Sequence, residues 1–268
     1  MNKLISTIVF LVMLIACNSS AVEGVTNPMD RLSDDKAGEV VREAIAHVGG
    51  WDTWAAKDNF SFYKKITQVD SVGDIKRVVK QLHQYNLKNQ FKARMTWSMD
   101  STDYVIINDG EEAKKYDKGI ELTDDKSKKE AWNSSFGSHY VVAMPYKLTD
   151  PGTKLTYAGI DSTTFSRPAY TVKVEYEKGA GSSGGMHVWC YYFDTETYDM
   201  VGNYLDYGNG HSFTTYETSE IVDGLKIHNK RFSHASNENK EILQLKTIYE
   251  NEEMKFNSDL DLKLFELQ

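Results

Sequence analysis

The sequence predicts a mainly β protein of the α+β class, with a single curved antiparallel sheet or half-open barrel and one to three helices on its concave side. From Phe60 onward, apolar and polar residues alternate with a period near two, which is typical of strands. Turn sequences such as Asn108-Asp109-Gly110 and Val222-Asp223-Gly224 separate many of these segments and indicate hairpins. Because helical patterns do not alternate with the strands, a parallel α/β sheet is disfavoured.

The chain begins with the pattern of a secretory signal. Lys3 precedes an apolar run from Leu4 to Ile15, and the run ends in Leu14-Ile15-Ala16-Cys17. A positive start, an apolar stretch of about 7–15 residues and a small-residue cleavage site define such a signal. A membrane-spanning helix needs about 20 apolar residues, more than this run offers. An ordinary signal peptide is the remaining alternative to a lipoprotein signal.

The ending at Cys17 resembles the bacterial lipobox, which implies cleavage before Cys17 and acylation of that residue. We therefore expect residues 1–16 to be a signal peptide and 17–33 to be a lipidated N-terminus with a flexible tether. Residues 34–268 would form one domain. From the signal and the lipobox we expect an exported, lipid-anchored protein. Because no acidic residue follows Cys17 directly, we expect the anchor in the outer membrane, with the protein facing the periplasm.

Two helical segments are predicted. Ser33 or Asp34 can cap the first, and Gly49-Gly50 ends it before a short helical turn that carries Trp51 and Trp54. The second spans Asp124–Ser138. The apolar face of the first helix has residues at three- and four-residue spacing: Val40, Val41, Ala44, Ile45 and Val48.

The strand pattern repeats along the rest of the chain, and the last apolar residues, Leu260 to Phe265, either close the sheet or form a short helix. The predicted strands are Phe60–Ile66, Arg77–Leu87, Phe91–Asp100, Thr102–Asn108, Lys114–Lys118, Leu155–Asp161, Ala169–Glu177, His187–Asp194, Met200–Tyr207, Phe213–Val222, Leu225–His234 and Lys240–Asn251.

The segment Tyr140–Gly152 contains two prolines, so it does not fit a central strand. We interpret it as an extended apolar segment that ends in a turn at Asp150-Pro151-Gly152. Such a segment either covers the core or acts as a movable lid over a cavity.

The motifs of known catalytic and cofactor sites are absent or lack their context. Gly179–Gly184 matches the dinucleotide-binding pattern, but a strand rather than a helix follows, which indicates a hairpin loop. His228 and His234 share one predicted strand and are expected to face solvent. We therefore predict no cofactor and no metal. Cys190 is expected to pack as a small apolar residue.

Composition excludes some partners and leaves one enzymatic alternative. A formal net charge of −8 without a Lys/Arg cluster argues against nucleic acid, whose binding depends on phosphate neutralisation. Paired carboxylates of an envelope hydrolase stay possible, although no pair stands out. The oligomeric state is not predictable from the sequence.

Several segments carry a family resemblance. A helix ending in Gly-Gly-Trp is followed by MPYKLTDPG at 144–152, YYFDTETYDMVG at 191–202 and YETSEIVDGLKIHNK at 216–230. Together they resemble a group of uncharacterised lipoproteins from Bacteroidetes-type bacteria, which is similar to the LolA/LolB superfamily of lipoprotein-sorting and receptor proteins. The resemblance implies a half-open antiparallel barrel with an apolar cavity that holds acyl chains.

From this resemblance, and because few helices fill a long curved sheet, we expect a non-enzymatic envelope protein that binds a lipid, an acyl chain or another apolar ligand. A role in lipoprotein or lipid trafficking follows from the family. A purely structural protein is the other alternative, in which large aromatic residues only fill the core. The expected cavity walls are Trp51, Trp54, Trp97, Trp132, Met144, Tyr146 and Trp189.

Overall fold

One continuous antiparallel sheet forms the frame of the protein, seen in a computed structural model that describes residues 27–181 and 184–267. Three α-helices in this part of the chain accompany it: α1 (Lys36–His47), α2 (Trp51–Ala55) and α3 (Asp125–Val142). The strands of the described residues are β1 (Asn59–Val69), β2 (Ile75–Asn86), β3 (Lys92–Met99), β4 (Thr102–Asn108), β5 (Ala113–Asp117), β6 (Ile120–Glu121), β7 (Thr153–Asp161), β8 (Ala169–Tyr176), β9 (Val188–Asp194), β10 (Met200–Asp206), β11 (His211–Val222), β12 (Leu225–Ser236) and β13 (Ile242–Phe256).

The sheet order places the first and last strands side by side in its middle. The order is β6-β5-β4-β3-β2-β1-β13-β12-β11-β10-β9-β8-β7, and every neighbouring pair is antiparallel. The chain therefore runs outward from β1 to one edge, crosses to the other edge and returns to the middle. The crossing segment, residues 122–152, contains α3.

The predicted fold class is confirmed: the structure is a curved, open, mainly antiparallel sheet with three helices. The predicted bounds of β4 are the observed ones, and most other strands differ by a few residues at their ends. β6 was not predicted because a two-residue strand leaves no periodic pattern. The C-terminal apolar residues form a short 3-10 helix at Leu262–Phe265, with Phe265 buried.

The apolar stripe of α1 lies in the main core as predicted, with Val40, Val41, Ala44 and Ile45 almost completely buried. The predicted cap was wrong by one or two residues. Asp35 is the N-cap, and its carboxylate accepts a hydrogen bond from the Gly38 amide at 2.9 Å.

The chain is folded before α1, within the segment predicted to be a tether. Pro28–Arg31 forms a 3-10 helix, and Leu32 is buried in the core. The Arg31 guanidinium donates a hydrogen bond to the Thr149 carbonyl at 3.0 Å, which joins this segment to the one after α3.

The prediction of an extended segment over Tyr140–Gly152 was wrong. Tyr140–Val142 is the last turn of α3, a cis peptide bond joins Met144 to Pro145, and a 3-10 helix covers Tyr146–Thr149. The apolar side chains of this segment are buried rather than extended along an edge. Helix α3 continues past Ser138 because its last turn packs into the main core.

The glycine-rich loop and Cys190 are placed as predicted. The loop joins the antiparallel strands β8 and β9, with residues 182 and 183 outside the described part. Cys190 is buried in β9 beside Tyr192 and Phe213.

The segment after α3 is anchored to the end of α1 by Tyr146. Its buried hydroxyl donates to the Val48 carbonyl at 3.0 Å, and that carbonyl also accepts from the Lys226 amide. We expect Tyr146→Phe to lower the free energy of unfolding by about 1 kcal/mol, because one buried hydrogen bond is lost and Val48 keeps its other donor. Urea denaturation measures this. Tyr157→Phe, at a more exposed hydroxyl, is the control, and equal midpoints for both variants would contradict the assignment.

Candidate functional site: a groove beside helix α3

A groove lies between α3 and the strands of the C-terminal half of the sheet. We call it the α3 groove. Its wide part has a volume of about 690 Å³ and its inner part about 250 Å³. The two parts are continuous, since both are lined by Asn133, Gly137, Val141, Trp189 and Leu205.

The two parts differ in chemistry. Apolar side chains dominate the wide part, including Trp132, Phe136 and Met186. Polar side chains from the central strands surround the inner part, among them Asn203, Ser212 and the two cations discussed below. The groove therefore suits a ligand with an apolar part and a polar part.

Helix α3 is held on one side by small residues. Ala131 and Ser135 are buried against β3, β4 and β5, and the Ser135 hydroxyl accepts from the Asn108 amide at 3.0 Å. Asp124 caps the helix by accepting from the Ser127 amide at 3.0 Å. These contacts fix the helix against the N-terminal half of the sheet and leave its other side to the groove.

Gly137 keeps the groove open where its two parts meet. A Cβ atom built on Gly137 has no heavy-atom neighbour within 4 Å, although the residue lies in the interior of α3. Glycine costs a helix about 0.5–1 kcal/mol relative to alanine. Glycine, which is unfavourable in a helix interior, therefore occupies the position from which a side chain would enter the groove.

Two buried cations lie in the inner part of the groove. Lys64 on β1 is 7% exposed and Arg231 on β12 is 5% exposed. Both lie against the ring of Tyr249, with the Lys64 Nζ 5.1 Å and the Arg231 guanidinium carbon 4.9 Å from its centroid. Lys64 Nζ also donates to the Ser138 hydroxyl of α3 at 3.1 Å.

No carboxylate of the described residues pairs with either cation. The groups that act electrostatically on Arg231 are Tyr216, Tyr249 and Tyr85, and the one that acts on Lys64 is Arg231 itself. Their sequence neighbours Lys65 and Lys230 behave differently, because both pair with Glu250, at 2.9 and 3.5 Å. Buried lysine and arginine are ordinarily paired.

Burial without a counter-charge lowers the pKa of both cations. Desolvation, with a smaller contribution from the charge of Arg231, lowers the pKa of Lys64 to about 7. Desolvation also lowers the pKa of Arg231, which stays charged. The inner groove is therefore cationic below neutral pH and still carries the arginine charge above it.

The seven residues predicted as cavity walls occupy several places. Trp132 and Trp189 line the wide part of the α3 groove, while Trp97 lines a separate, more polar pocket of about 310 Å³ beside β3. Met144 is buried in the main core. The remaining three, Trp51, Trp54 and Tyr146, line a small cavity of about 170 Å³.

The small cavity is mostly a gap in an aromatic cluster. The rings of Trp54 and Tyr146 stack with centroids 4.7 Å apart, and His139 lies 4.8 Å from Phe91. Both His139 nitrogens are buried without a hydrogen-bond partner among the described residues, and desolvation holds the pKa of this histidine well below its usual range. At about 170 Å³ the cavity is smaller than the roughly 300–1,000 Å³ of typical ligand sites, whereas the wide groove falls within that range.

The prediction that His228 faces solvent was wrong. Its side chain is 10% exposed, and desolvation lowers its pKa to about 4. His228 and His47 each lie 3.8 Å from an Asp199 oxygen, but the Lys226 ammonium already pairs with Asp199 at 2.6 Å and lies 3.0 Å from the His47 ring. Within residues 27–181 and 184–267, no cluster of three or more His, Cys, Asp or Glu suits a metal.

Sequence reasoning missed Gly137, Lys64 and Arg231. One signal for Lys64 was available, because it follows Phe60 and Phe62 at alternate positions of β1 and so falls on their buried face. Arg231 follows the buried Leu225 and Ile227 at even spacing, so alternation also favoured its burial, although the register of β12 shifts against β11 between Ile227 and Arg231.

The chain belongs to a family of unknown function, DUF6503, whose sequence profile matches residues 103–258. This stretch contains α3, the glycine-rich loop and all strands from β7 to β12, so it includes most of the groove lining. No curated protein sequence matches the chain.

Solved structures of low sequence identity share the fold. A DUF1329 family protein from Desulfovibrio piger matches with a TM-score of 0.54 at 10% identity, over 87% of this chain and 98% of its own. A LolA superfamily protein from Nitrosomonas europaea matches with a TM-score of 0.55 at 10% identity, over 86% and 97%. A Vibrio parahaemolyticus structure described as an outer membrane lipoprotein-sorting protein domain has a TM-score of 0.51 at 9% identity, over 85% and 94%. The chain thus shares its fold with a LolA superfamily structure, as the sequence resemblance implied.

Gly137→Ala tests the openness of the groove. We expect it to raise the free energy of unfolding by about 0.5–1 kcal/mol, because the helix gains a better helix former and the new methyl group meets no neighbour. Thermal and urea unfolding measure the gain. Gly202→Ala is the contrasting variant, since its Cβ would lie 2.9 Å from Phe165 and from the Thr214 carbonyl and should destabilise the protein. A loss of stability in Gly137→Ala would contradict the open geometry.

Lys64→Met tests the cost of the buried ammonium. The pKa of Lys64 is lower in the folded than in the unfolded chain, so the unfolded state binds more protons between about pH 7 and the ordinary lysine range near 10.4. Wild-type stability should therefore rise with pH across this window relative to Lys64→Met, by at most about 1.4 kcal/mol per pH unit. Urea unfolding at several pH values measures the difference. A difference that does not change with pH would contradict the buried, unpaired state of Lys64.

Proposed function

We propose that this protein is a cell-envelope protein that binds the acyl chain of a lipid, or another long apolar ligand, in the α3 groove. The observation that carries the proposal is the wide part of the groove, about 690 Å³ with mainly apolar walls, kept open by a glycine in the middle of a helix. Burial of an acyl chain contributes about 0.8 kcal/mol per methylene, so a chain of moderate length supplies a useful affinity.

The likeness to LolA superfamily structures supports a role in lipid or lipoprotein trafficking. One of those structures is described as a lipoprotein-sorting domain, which is consistent with an apolar cargo in the envelope. In this chain the cargo site would be the α3 groove, with Trp132 and Trp189 among its walls. The small cavity at Trp51, Trp54 and Tyr146 would be a packing gap in the core and not a ligand site.

We further propose that the protein is exported and lipid-anchored at Cys17, with 1–16 as the signal peptide and the residues between Cys17 and the folded turn at Pro28–Arg31 as the tether. Cys17 lies outside the described residues, so the proposal depends on the lipobox pattern alone. No helix in the described part of the chain has the length and apolar character to cross a membrane.

The paired-carboxylate hydrolase gains no support from the groove. The residues described in its lining include no Asp or Glu, although two facing acids would be needed for glycoside hydrolysis. Binding without chemistry is therefore the function that the groove supports best.

Gly137→Leu tests the groove as the ligand site. We expect wild type to take up a fluorescent fatty acid and Gly137→Leu to bind it at least tenfold more weakly, because the leucine side chain enters the open space where the two parts of the groove meet. Fluorescence titration measures both affinities. Lys128→Leu adds the same side chain at an exposed position of α3 and should bind like wild type. Absence of uptake by wild type refutes acyl binding, and equal uptake by Gly137→Leu refutes the location.

Cys17→Ser tests the anchor. The variant should lose incorporation of labelled palmitate and leave the membrane fraction or accumulate unprocessed, because serine offers no thiol to acylate. Metabolic labelling followed by fractionation gives the result. Cys190→Ser, at the buried cysteine of β9, should keep the label. Retention of label and membrane binding by Cys17→Ser would show that another segment attaches the protein.

A further inference from the structure

We infer that Lys64 and Arg231 form a binding site for the anionic head group, a carboxylate or a phosphate, of an amphiphilic ligand whose tail lies in the wide part of the α3 groove. This inference deepens the proposed function and rests on it for the tail. It names the class of ligand: an acidic amphiphile rather than a neutral lipid.

The charged side chains that line the groove are cations. The protein as a whole is acidic, with a formal net charge of −8, yet the described groove lining carries Lys64, Lys129 and Arg231 and no carboxylate. An anion that enters the inner part therefore meets positive charge without a competing acid.

The burial of two cations without a counter-charge is energetically unfavourable. A buried charge without a partner destabilises a fold, and apolar residues of similar size are often more stabilising than even a paired buried charge. The fold had carboxylates close by, since Glu250 pairs with Lys65 and Lys230. The two inward cations are left without one, which is the arrangement expected if the counter-charge comes with a ligand.

The two cations share one aromatic neighbour, Tyr249. Lys64 and Arg231 come from strands on either side of β13 and converge on one Tyr249 ring. Arg231 supplies planar guanidinium donors that suit carboxylate or phosphate oxygens, and Lys64 adds a compact ammonium. Hydroxyl and amide groups of Ser212, Thr214 and Asn203 line the same inner part and can bind further oxygens.

The polar and apolar parts of the groove are continuous. Trp189 and Val141 line both, so a single molecule can place its head group at the cations and its tail in the wide part. A small inorganic anion would use the inner part alone and leave the larger apolar volume empty.

The test compares ligands that differ in the head group. Dodecanoate, dodecyl phosphate and dodecanol are titrated into the purified protein while tryptophan fluorescence is followed, and inorganic phosphate and acetate are the free anions. We expect wild type to bind dodecanoate or dodecyl phosphate at least tenfold more tightly than dodecanol. A tenfold preference corresponds to about 1.4 kcal/mol, which a charge-assisted hydrogen bond to the head group is sufficient to supply.

Matched variants test whether Lys64 and Arg231 produce the preference for anionic head groups. Lys64→Met and Arg231→Met should each lose at least about tenfold in affinity for the anionic probes and bind dodecanol like wild type. Lys65→Met and Lys230→Met, one residue away and paired with Glu250, should bind all probes like wild type. Far-UV circular dichroism and retained dodecanol binding show that each variant is folded.

A second readout is proton exchange. Because an anion beside Lys64 favours its charged form, dodecanoate binding near pH 7.5 should take up a fraction of a proton in wild type and none in Lys64→Met. Calorimetry in buffers of different ionisation enthalpy measures this uptake.

The outcomes separate the two proposals. Binding of none of the dodecyl probes refutes the proposed function. Dodecanol binding as tight as that of both dodecanoate and dodecyl phosphate, or unchanged anion preference in Lys64→Met and Arg231→Met, refutes the head-group site alone. If inorganic phosphate binds as tightly as dodecyl phosphate, the site is one for free anions, and the inference that its ligand is an amphiphile is refuted.

Discussion

The pairing of β1 with β13 is the constraint on which the rest of the structure depends. Because the first and last strands meet in the middle of the sheet, β6 and β7 become its two edges, although they are near in sequence. The chain between them must then cross from one edge to the other. It does so over the concave face, where α3 and the buried turn after it complete the core.

The groove follows from how α3 makes this crossing. Its small buried residues, Ala131 and Ser135, allow close approach to β3–β5, and its last turn packs into the main core. Between these two attachments the other side of the helix faces β9–β12 without filling the space. Gly137 lies in that stretch, so the opening depends on one residue that contributes no side chain.

The fold was largely predictable because alternation and turn residues mark antiparallel strands locally. The turn at Val222-Asp223-Gly224 and the stripe of α1 are short-range signals, and both appear as predicted. The path of Tyr140–Gly152 was not predictable, since its buried helical turns depend on contacts with distant partners such as Val48. The predicted aromatic walls were dispersed for the same reason: a tryptophan's size indicates burial but not which cavity it lines.

A buried charge indicates a binding site more specifically than a group of aromatic residues does, and the inner part of the α3 groove shows why. Trp54 and Tyr146 stack tightly, and such stacking stabilises a core whether or not a ligand exists. Burial disfavours the charged forms of Lys64 and Arg231, and their contacts with the Tyr249 ring and the Ser138 hydroxyl supply no counter-charge. A preorganised anion site holds unpaired cations before the ligand binds. Such a site therefore reduces the stability of the ligand-free protein. Selection for stability alone would have placed apolar residues at both positions or supplied an acid, and the structure has neither.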